Sequence, residues 1–522
     1  MSEIIVIGAG IAGMTAAIKA SDLGAHVSLI SPDYSERSQS VMAMGGINAA
    51  LGKNDSVDEH FDDTMNGGCG INNAEAVRKL TSDAPKIIDW LSSIGTTFTR
   101  DDEGNIDQRY FGGQKKKRTA YAGARTGKQI VTALITECRK KEAGFSVTRF
   151  IGWRFLSLII KDGKCLGVIC INETTSEIRE FLSDSVIIAT GGLNKLFGKT
   201  SGSIHNDGVA TARLFMQGVE LANLEMIQYH PTTVRTAVKR MLITEAARGE
   251  GGNLYTIRDG EKWYFMKEWY PQFAELMPRD VVSRGIYKAS NAGKNLVYLD
   301  ISHLDENIIR TKLDEVYEIC TNYLNLDPTS EAIPVYPGVH FFMGGIKTDE
   351  NHKTNIQGLY AAGECSVQYH GANRLGGNSL LGAVHGGWIA AENAIYDSND
   401  DYVNMIDEEI ESFNKFEKNG KSSDVEDILA EIMASSMGIY RNEDDLKDAL
   451  EKLNELKVNA NSYYEYIKQE SLILLAKACV ASALMRKESR GAHQRIDYPQ
   501  TADEYKKTTC VTYDGEINVN FK

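Results

Sequence analysis

A glycine-rich segment at residues 370–379 places one arginine and one histidine where they could bind an anion. It reads His370-Gly-Ala-Asn-Arg374-Leu-Gly-Gly-Asn-Ser379, and a small and apolar stretch, 380–391, follows it. A guanidinium carries a permanent charge and can donate two parallel hydrogen bonds to a carboxylate. The glycines let the backbone approach a large, flat group, and a helix over 380–391 would offer its N-terminus to an anion. Taken alone, the segment predicts an anion site.

The first thirty residues have the pattern of a dinucleotide site. An apolar strand is expected at residues 4–7, a helix at 14–23 and a second strand at 26–30. The glycine motif between them suits a tight turn, close approach of a pyrophosphate and helix–strand packing. The residues expected to contact the cofactor here are Gly8, Gly10, Ile11, Ala12 and Gly13. Ser31 and Asp33 stand where an acidic residue usually binds the ribose, so the Ser31 hydroxyl is a candidate ribose ligand.

Two later strands favour FAD over a nicotinamide cofactor. Apolar runs at 186–190 and 358–363 each end in small residues, at Thr190-Gly191-Gly192 and at Gly363-Glu364. A nicotinamide nucleotide needs the first motif alone, whereas three strand ends scattered over the chain suit one long cofactor in a discontinuous domain. The sequence therefore predicts FAD.

Bulk properties exclude several classes of protein. The chain has 522 residues, 42% of them hydrophobic and 25% charged, which is typical of a globular protein with about two to four domains. A net charge of -14 argues against nucleic acid or an anionic membrane surface as a partner. We find no apolar run long enough for direct membrane insertion and no signal-peptide pattern, so we expect a cytoplasmic protein. Any membrane association would come through partner subunits.

The cysteines and one basic cluster give weaker indications. Eight cysteines are dispersed, without Cys-x-x-Cys or iron–sulfur spacing, so reduced structural thiols are expected and no metal site is predicted. The run Lys115-Lys-Lys-Arg118 suits either a solvated loop or a docking site for an acidic partner.

The predicted fold class is α/β, with a discontinuous, Rossmann-like FAD-binding domain. Residues 1–223 form its first part and residues 338–397 its second part. Residues 224–337 lack a βαβ pattern, which predicts an inserted α+β capping domain. A polar and acidic linker, Asp397–Asp401, leads into amphipathic helical patterns. Residues 398–522 are therefore expected to form a C-terminal helical domain and a tail.

A series of short motifs runs through the chain in a fixed order. They are the glycine motif at 8–13, Arg37-Ser-Gln-Ser-Val, Gly45-Gly46, Arg125-Thr-Gly, Gln228-Tyr-His-Pro-Thr, Thr244-Glu-Ala-Ala-Arg-Gly-Glu-Gly, Pro278-Arg-Asp, His340-Phe-Phe-Met-Gly-Gly, Gly363-Glu-Cys, the segment 370–379 and Glu488-Ser-Arg-Gly-Ala-His-Gln-Arg-Ile-Asp-Tyr-Pro. In this order they resemble the succinate dehydrogenase/fumarate reductase flavoprotein family, up to about residue 499.

The resemblance implies the catalytic flavoprotein subunit of a fumarate reductase or succinate dehydrogenase. A hydride from FAD N5 would reach one carbon of fumarate and a proton the other, while both carboxylates are clamped. By resemblance, His340 and Arg374 hold one carboxylate, and His230 and Thr244 hold the other.

The proton donor implied by the resemblance is an arginine. A guanidinium is a poor acid in water, so it must be buried against another cation and given a carboxylate route to solvent. By resemblance Arg279 is the donor, and it is refilled through Glu245 and Arg248.

Gln39 departs from the family pattern. Respiratory members have a histidine here that bonds covalently to the flavin, and an amide cannot form this bond. We therefore predict non-covalent FAD. Since the covalent bond raises the potential of the flavin, its absence favours the reductive direction. The flavin contacts expected outside the first motif are Ser31, Ser38, Gln39, Gly45, Gly46, Ala189, Thr190, Gly191, Asp207, Glu364, Ser379 and Leu380.

Phe342 is a second departure, because the family usually has threonine at this position. The ring either repacks behind the loop or suits another substrate, an enoate with one carboxylate and an apolar tail. Retention of His230, Thr244 and Arg248 favours the dicarboxylate. L-aspartate oxidase, a close relative with non-covalent flavin, is a further alternative. The details around Met343, Cys365 and 375–378 resemble the fumarate reductase branch more closely.

Electrons must reach the flavin from another molecule, since the chain has neither the ligand spacing nor the spare length for a second redox centre. The family pattern makes a separate iron–sulfur subunit the leading candidate for the donor. A small soluble carrier is the alternative.

Overall fold

The structure, a computed structural model, describes residues 2–123, 125–236, 239–398, 406–417 and 424–522. A parallel sheet forms its centre, with strands in the order Leu359–Ala361, Ser185–Ile188, Glu3–Ile7, His26–Ser31 and Val147–Ile151. The two strands Glu3–Ile7 and Ser185–Ile188 are almost completely buried, which is why their sequences are nearly all apolar. One strand comes from far along the chain, and the predicted discontinuous α/β fold is confirmed.

The remaining elements of the predicted FAD-binding part surround this sheet. An antiparallel sheet contains Trp153–Lys161, Lys164–Asn172 and Ile178–Leu182, and a smaller one contains Ile47–Asn48, Thr119–Ala120 and Gln108–Arg109. The helices are Ile11–Asp22, Val57–Gly67, Ala74–Ser93, Thr126–Ala143, Val209–Met216 and Asn378–Ala394. The first and last of these pack closely, because Gly387 has no side chain: a Cβ there would lie 2.2 Å from the Ala12 oxygen.

The inserted part is built on an antiparallel sheet. Its strands lie in the order Arg240–Leu242, Ile227–Arg235, Ile333–Phe342, Val297–Asp300, Asn253–Arg258 and Glu261–Trp263. Its helices are Ala246–Gly249, Phe265–Trp269, Arg279–Ala289, Glu306–Thr311 and Asp314–Ile319. The strand Ile333–Phe342 continues through residue 337, where the sequence predicts a boundary, and so links the inserted part directly to the second part of the flavin domain.

The C-terminal part is helical, as predicted, but its tail forms strands. The helices are Ile406–Lys415, Val425–Ser436, Glu443–Glu455 and Tyr463–Met485. The strands Thr509–Tyr513 and Ile517–Phe521 then join a sheet with Leu221–Ala222, Gly345–Lys347 and Ser366–Val367. Residues 399–401 of the predicted polar linker lie outside the described residues. In the part of the chain that the structure describes, no helix combines the length and the apolar character needed to cross a bilayer.

A buried ion network ties the C-terminal part to the rest of the molecule. Arg486 lies 2.7 Å from Glu225 and 2.9 Å from Glu488, and all three side chains are fully buried. Arg490 also contacts Glu488 at 2.7 Å and donates to the backbone oxygen of Cys69. These contacts join Glu225, at the start of the inserted part, and Cys69, in the flavin-binding part, to residues after the last long helix.

Candidate active site

A continuous cavity opens at the carboxyl ends of the parallel strands, where α/β sheets commonly bind ligands. Ile7, Ser31 and Ala189, at or just after the ends of three strands, line it. The cavity extends to the inserted part, where Arg279 and His340 line its wall. The structure therefore brings the predicted cofactor and substrate sites into one space.

The glycine motif and two helix N-termini shape the cofactor end of this cavity. Gly8 has a φ of +109°, and a Cβ there would lie 2.2 Å from the Ala189 oxygen. A Cβ at Gly13 would lie 1.8 Å from the Gly8 oxygen, so Gly13 serves helix packing and does not itself line the cavity. Gly10 and Gly377 are the N-caps of two long helices and supply no side-chain cap. Open helix N-termini and bare backbone fit the pyrophosphate and flat ring of FAD.

The other cofactor residues predicted from the sequence line the same cavity. They are Gly10, Ile11, Ala12, Ser31, Ser38, Gln39, Gly45, Gly46, Ala189, Thr190, Gly191, Asp207, Glu364, Ser379 and Leu380. The backbone N–H of Ser203 donates to the amide oxygen of Gln39 and fixes this side chain. Asp207 accepts a hydrogen bond from Arg154 at 3.0 Å. Glu364 accepts one from the Phe342 N–H, and burial raises the pKa of this carboxyl to about 7.

Two neighbouring antiparallel strands bring His230 and His340 together. His230 lies opposite Gly338 in the paired strand, and the two imidazole centroids are 5.1 Å apart. The Ser201 hydroxyl lies 2.8 Å from His340 Nδ1. His230 Nε2 is buried and has no hydrogen-bond partner in the described structure, which leaves it available to a ligand.

Both imidazoles are held in the neutral form. Burial lowers the pKa of His230 far below its ordinary value, and the nearby charge of Arg279 lowers it further. Burial also lowers the pKa of His340 far below its ordinary value, and the charges of Arg279 and Arg374 lower it further. A neutral imidazole can donate an N–H to a carboxylate without adding to the positive charge of the site.

Gln228 connects the two arginines, and no role for it was predicted from the sequence. Its side-chain oxygen accepts from Arg374 at 2.8 Å and from Arg279 at 3.3 Å. Its side-chain nitrogen donates to the Arg374 carbonyl at 2.7 Å. The residue is fully buried. Its motif was visible in the sequence, but the shared hydrogen bonds were not, because the partners lie 51 and 146 residues away.

Glu245 lies between Arg279 and Arg248. Arg279 contacts Oε2 through two nitrogens, each at 2.7 Å, while Arg248, one helical turn after Glu245, lies 3.4 Å from Oε1. Burial by itself would raise the pKa of Glu245, but the two arginines outweigh it and lower the pKa. Arg279, Glu245 and the preceding Thr244 line the cavity and Arg248 does not, so the order from the cavity inward is Arg279, Glu245, Arg248.

The clamp formed by these residues has an excess of positive charge. Of its three buried guanidinium groups, those of Arg279 and Arg248 form ion pairs with Glu245, whereas Arg374 forms no ion pair among the described residues. Two further carboxyl groups interact electrostatically without such a contact: Glu275 with Arg248, and Glu364, whose pKa burial raises to about 7, with Arg374. Because buried charge without a close partner is costly, an anionic ligand complements this site at Arg374.

Phe342 lies behind the cavity wall. Its ring is buried in the hydrophobic core, 5.8 Å from the ring of Phe197. Phe341 lines the cavity instead, and the Arg374 guanidinium lies 4.2 Å above its ring. The structure therefore matches the interpretation that Phe342 repacks behind the loop.

Fold and site together define an FAD-dependent oxidoreductase. Residues 3–380 match a family model described as an FAD binding domain, and residues 426–522 match one described as fumarate reductase flavoprotein C-term. The chain belongs to the succinate dehydrogenase/fumarate reductase flavoprotein family, whose members act on the CH–CH bond of succinate or fumarate. Across the described residues, no group of three or more His, Cys, Asp and Glu side chains is placed to hold a metal ion.

Relatives resemble the chain over nearly its whole length. It is 40% identical to the succinate dehydrogenase flavoprotein subunit of Bacillus subtilis (strain 168), over 98% of this chain and 94% of that one. A solved structure of E. coli quinol fumarate reductase has a TM-score of 0.92 at 30% identity, covering 100% of this chain and 96% of the other. The Mycobacterium smegmatis Sdh1 complex gives a TM-score of 0.85 at 30% identity, with 100% and 93% covered.

Proposed function

We propose that the protein reduces fumarate and that the clamp holds both carboxylates of this substrate. The observation that carries the proposal is the buried Arg374 guanidinium, which has no carboxylate in ion-pair contact among the described residues and lies in one cavity with the neutral imidazoles of His230 and His340. Arg374 and His340 bind one carboxylate, and His230 and Thr244 bind the other. The unpartnered Nε atoms of Arg374 and of His230 support these roles, because both are buried and without a hydrogen bond in the described structure.

Arg279 is the proposed proton donor. FAD, when bound, supplies the hydride for one carbon of the double bond. Arg279 lines the cavity and delivers a proton to the other carbon, while Glu245, in contact at 2.7 Å, returns a proton to the guanidinium. Arg248 lies behind Glu245, at 3.4 Å, and continues the route away from the cavity. Such general acid catalysis contributes on the order of 10²–10⁴-fold.

The same geometry favours fumarate over the alternative substrates. An enoate with one carboxylate leaves one side of the clamp without a ligand, and Phe342, which is buried in the core, does not shape the cavity for an apolar tail. Aspartate would bring an ammonium group next to the guanidinium charges. The ionised carboxylate of the clamp, Glu245, is already shared by Arg279, Arg248 and the Gly112 N–H, and so does not offer the ammonium a free partner.

FAD is bound non-covalently, because the side-chain amide of Gln39 cannot form a covalent bond to the flavin. The oxygen of this amide accepts a hydrogen bond from the Ser203 N–H. The absence of the covalent bond favours the reductive direction. The proposed electron donor is an iron–sulfur subunit. The names of two relatives, one a flavoprotein subunit and the other a complex, support assembly with a partner subunit, and the family resemblance suggests an iron–sulfur protein for that partner.

Steady-state kinetics with a reduced viologen dye as electron donor test the proposed function. We expect efficient turnover of fumarate. Turnover of crotonate, a monocarboxylate of similar length, should be at least about 10²-fold lower in kcat/KM, because the buried groups that bind the second carboxylate are left unpaired. Aspartate should not reduce the flavin. Efficient turnover of crotonate alone, or oxidation of aspartate, would contradict the proposal.

A further inference from the structure

Two cations on the wall of the cavity have no role in the clamp. Lys239 and Arg240 line the cavity at the start of the strand Arg240–Leu242, and both are half-buried. Within the described ranges neither side chain forms an ion pair with an aspartate or glutamate. The Lys239 ammonium contacts the Met42 sulfur at 3.3 Å, and Arg240 makes a long hydrogen bond of 3.4 Å to Thr233.

Arg240 lies directly beside the predicted carboxylate ligands. Its backbone N–H donates to the backbone oxygen of Thr200 at 3.2 Å. Ser201, which follows Thr200 in the chain, contacts His340 Nδ1 through its hydroxyl at 2.8 Å. Its aliphatic stem occupies space that Gly338 leaves free, since a Cβ on Gly338 would lie 2.6 Å from Arg240 Cδ. Gly338 is two residues before His340 on the same strand. The backbone of the His340 strand therefore makes room for a guanidinium next to the clamp.

Neighbouring groups do not neutralise this guanidinium. The ring of Tyr336 lies 5.9 Å from it, which gives a weak cation–π contact. Burial, and then the charge of Arg235, lower the pKa of Arg240. Glu315, a carboxyl on the same cavity wall, interacts with Arg125 and Lys128, and no contact joins it to Arg240. A half-buried cation without a carboxylate partner favours an anion supplied from outside the protein.

We propose that Arg240, assisted by Lys239, forms an outer anion site that captures one carboxylate of the incoming substrate and passes it to the clamp. The inference rests on the proposed function, because it takes the ligand to be a small dicarboxylate. In a chain with a net charge of -14, two uncompensated cations on the cavity wall also offset the repulsion that a dianion meets on approach. Arg240 therefore acts on the capture of substrate, and the chemical step remains with Arg279.

The strand pair that carries Arg240 offers a matched control. Arg235 lies opposite Arg240 in the hairpin, but it is exposed and does not line the cavity. Arg240→Gln and Arg235→Gln remove the same charge from paired positions of the two strands, so a larger effect of Arg240→Gln reports its half-buried position on the cavity wall. Lys239→Gln is a second test variant, and Arg240→Lys restores the charge.

The test measures fumarate reduction by the flavin-loaded protein with a reduced viologen dye, at about 20 mM and about 200 mM salt. Arg240→Gln should lower kcat/KM about tenfold at low salt with kcat changed less than about twofold, and the loss should shrink at high salt. Lys239→Gln should show about a threefold loss, while Arg235→Gln and Arg240→Lys should stay within about twofold of wild type. The rate of malonate binding to the oxidised protein, followed by flavin absorbance, should fall in parallel.

Two results would overturn the inference. One is Arg240→Gln and Lys239→Gln behaving like Arg235→Gln at both salt concentrations. The other is a fall in kcat at unchanged malonate binding, which would place Arg240 in the chemical step. Failure of the proposed function itself looks different, because wild type would then not reduce fumarate at all. If Arg240→Gln does not bind flavin, the turnover and the malonate-binding rate of Lys239→Gln decide the question.

Discussion

Gln228 holds the two arginines of the clamp in one arrangement. Its single side-chain oxygen accepts from both Arg279 and Arg374, and its nitrogen fixes the backbone of the Arg374 loop. Since Arg279 is the proposed acid and Arg374 a proposed carboxylate ligand, the amide sets the distance between the chemical step and the bound substrate.

Gln228→Leu tests this positioning role. The change leaves two buried guanidinium groups without their shared acceptor, so we expect kcat/KM for fumarate to fall about 10²-fold, with flavin content unchanged. Gln228→Glu keeps the acceptor but cancels one positive charge, and it should raise KM more than it lowers kcat. A Gln228→Leu protein within about threefold of wild type would show that the arginines are positioned by other contacts.

Gln39 stands where a covalent bond to the flavin would form. Because its amide cannot bond covalently to flavin, acid precipitation should release all of the yellow chromophore into the supernatant. The measurement is the flavin absorbance of the supernatant and of the washed, denatured pellet. Flavin retained on the polypeptide would contradict the prediction.

The sequence motifs indicated which residues belong to the site, but they did not indicate the contacts that these residues make. The motif Gln228-Tyr-His-Pro-Thr indicated His230 as a ligand, yet the shared hydrogen bonds of Gln228 arise from partners far away in the chain. The role of the basic run 115–118, a solvated loop or a docking site, was left open by the sequence for the same reason. Its Arg118 is fully buried between Asp55, at 3.0 Å, and Asp63, at 3.1 Å, and both carboxylates come from another part of the chain.

At the scale of secondary structure, the loop before the helix Asn378–Ala394 depends on Gly377. This residue has a φ of +84°, and a Cβ there would lie 2.1 Å from the Asn48 side-chain oxygen. Asn48 in turn donates to the Gly376 oxygen at 2.8 Å. The N-terminus of the helix, which opens on the cofactor end of the cavity, is therefore placed by a contact that only glycine permits.

Gly377→Ala should weaken flavin binding by at least about tenfold, because both the backbone and Asn48 must shift. Gly24→Ala is the matched control: Gly24 has a φ of +91°, but a Cβ there meets nothing within 4 Å. The Gly24→Ala variant has the conformational cost of a positive φ but no clash of the added Cβ. Because residue 24 lies away from the cavity, the flavin affinity of this variant should be unchanged. Equal flavin affinity in the two variants would contradict the account of this loop.

Elements with a strong apolar pattern were predictable and elements defined by distant pairing were not. The strands Glu3–Ile7 and Ser185–Ile188 were expected from apolar runs, because strands of a parallel sheet are buried on both faces. The strand His26–Ser31 was expected because it completes the βαβ unit after the glycine motif. The tail strands Thr509–Tyr513 and Ile517–Phe521 were not expected. The first of them pairs with Leu221–Ala222, almost three hundred residues earlier, and no local pattern signals that contact.

At the scale of the whole molecule, the buried network around Arg486 joins the C-terminal part to the inserted part through Glu225 and, through Arg490, to Cys69 in the flavin-binding part. Arg486 contacts Glu225 and Glu488 and also donates to three further groups, of Tyr505, Lys507 and Thr509. Four of these five partners lie at residues 488–509, and the fifth, Glu225, lies 261 residues before Arg486.

Arg486→Ala should destabilise the protein by about 3–5 kcal/mol, because it leaves the Glu225 carboxylate buried without its ion-pair partner, while Glu488 keeps Arg490. The free energy of unfolding in urea measures this. Lys447→Ala is the control, since Lys447 is exposed and its pair with Glu443 is a surface contact that should matter little. If both variants unfold at the same urea concentration, the network does not hold the parts together.

The central claim is that Arg279 protonates a dicarboxylate held by the clamp, and fumarate reduction by Arg279→Ala tests it most directly. The control is Lys288→Ala, which removes a charge from an exposed position on the same helix. Measured with a reduced viologen dye, Arg279→Ala should lose about 10³-fold or more in kcat while it keeps its flavin, and Lys288→Ala should match wild type. Turnover by Arg279→Ala within about tenfold of wild type would contradict the account.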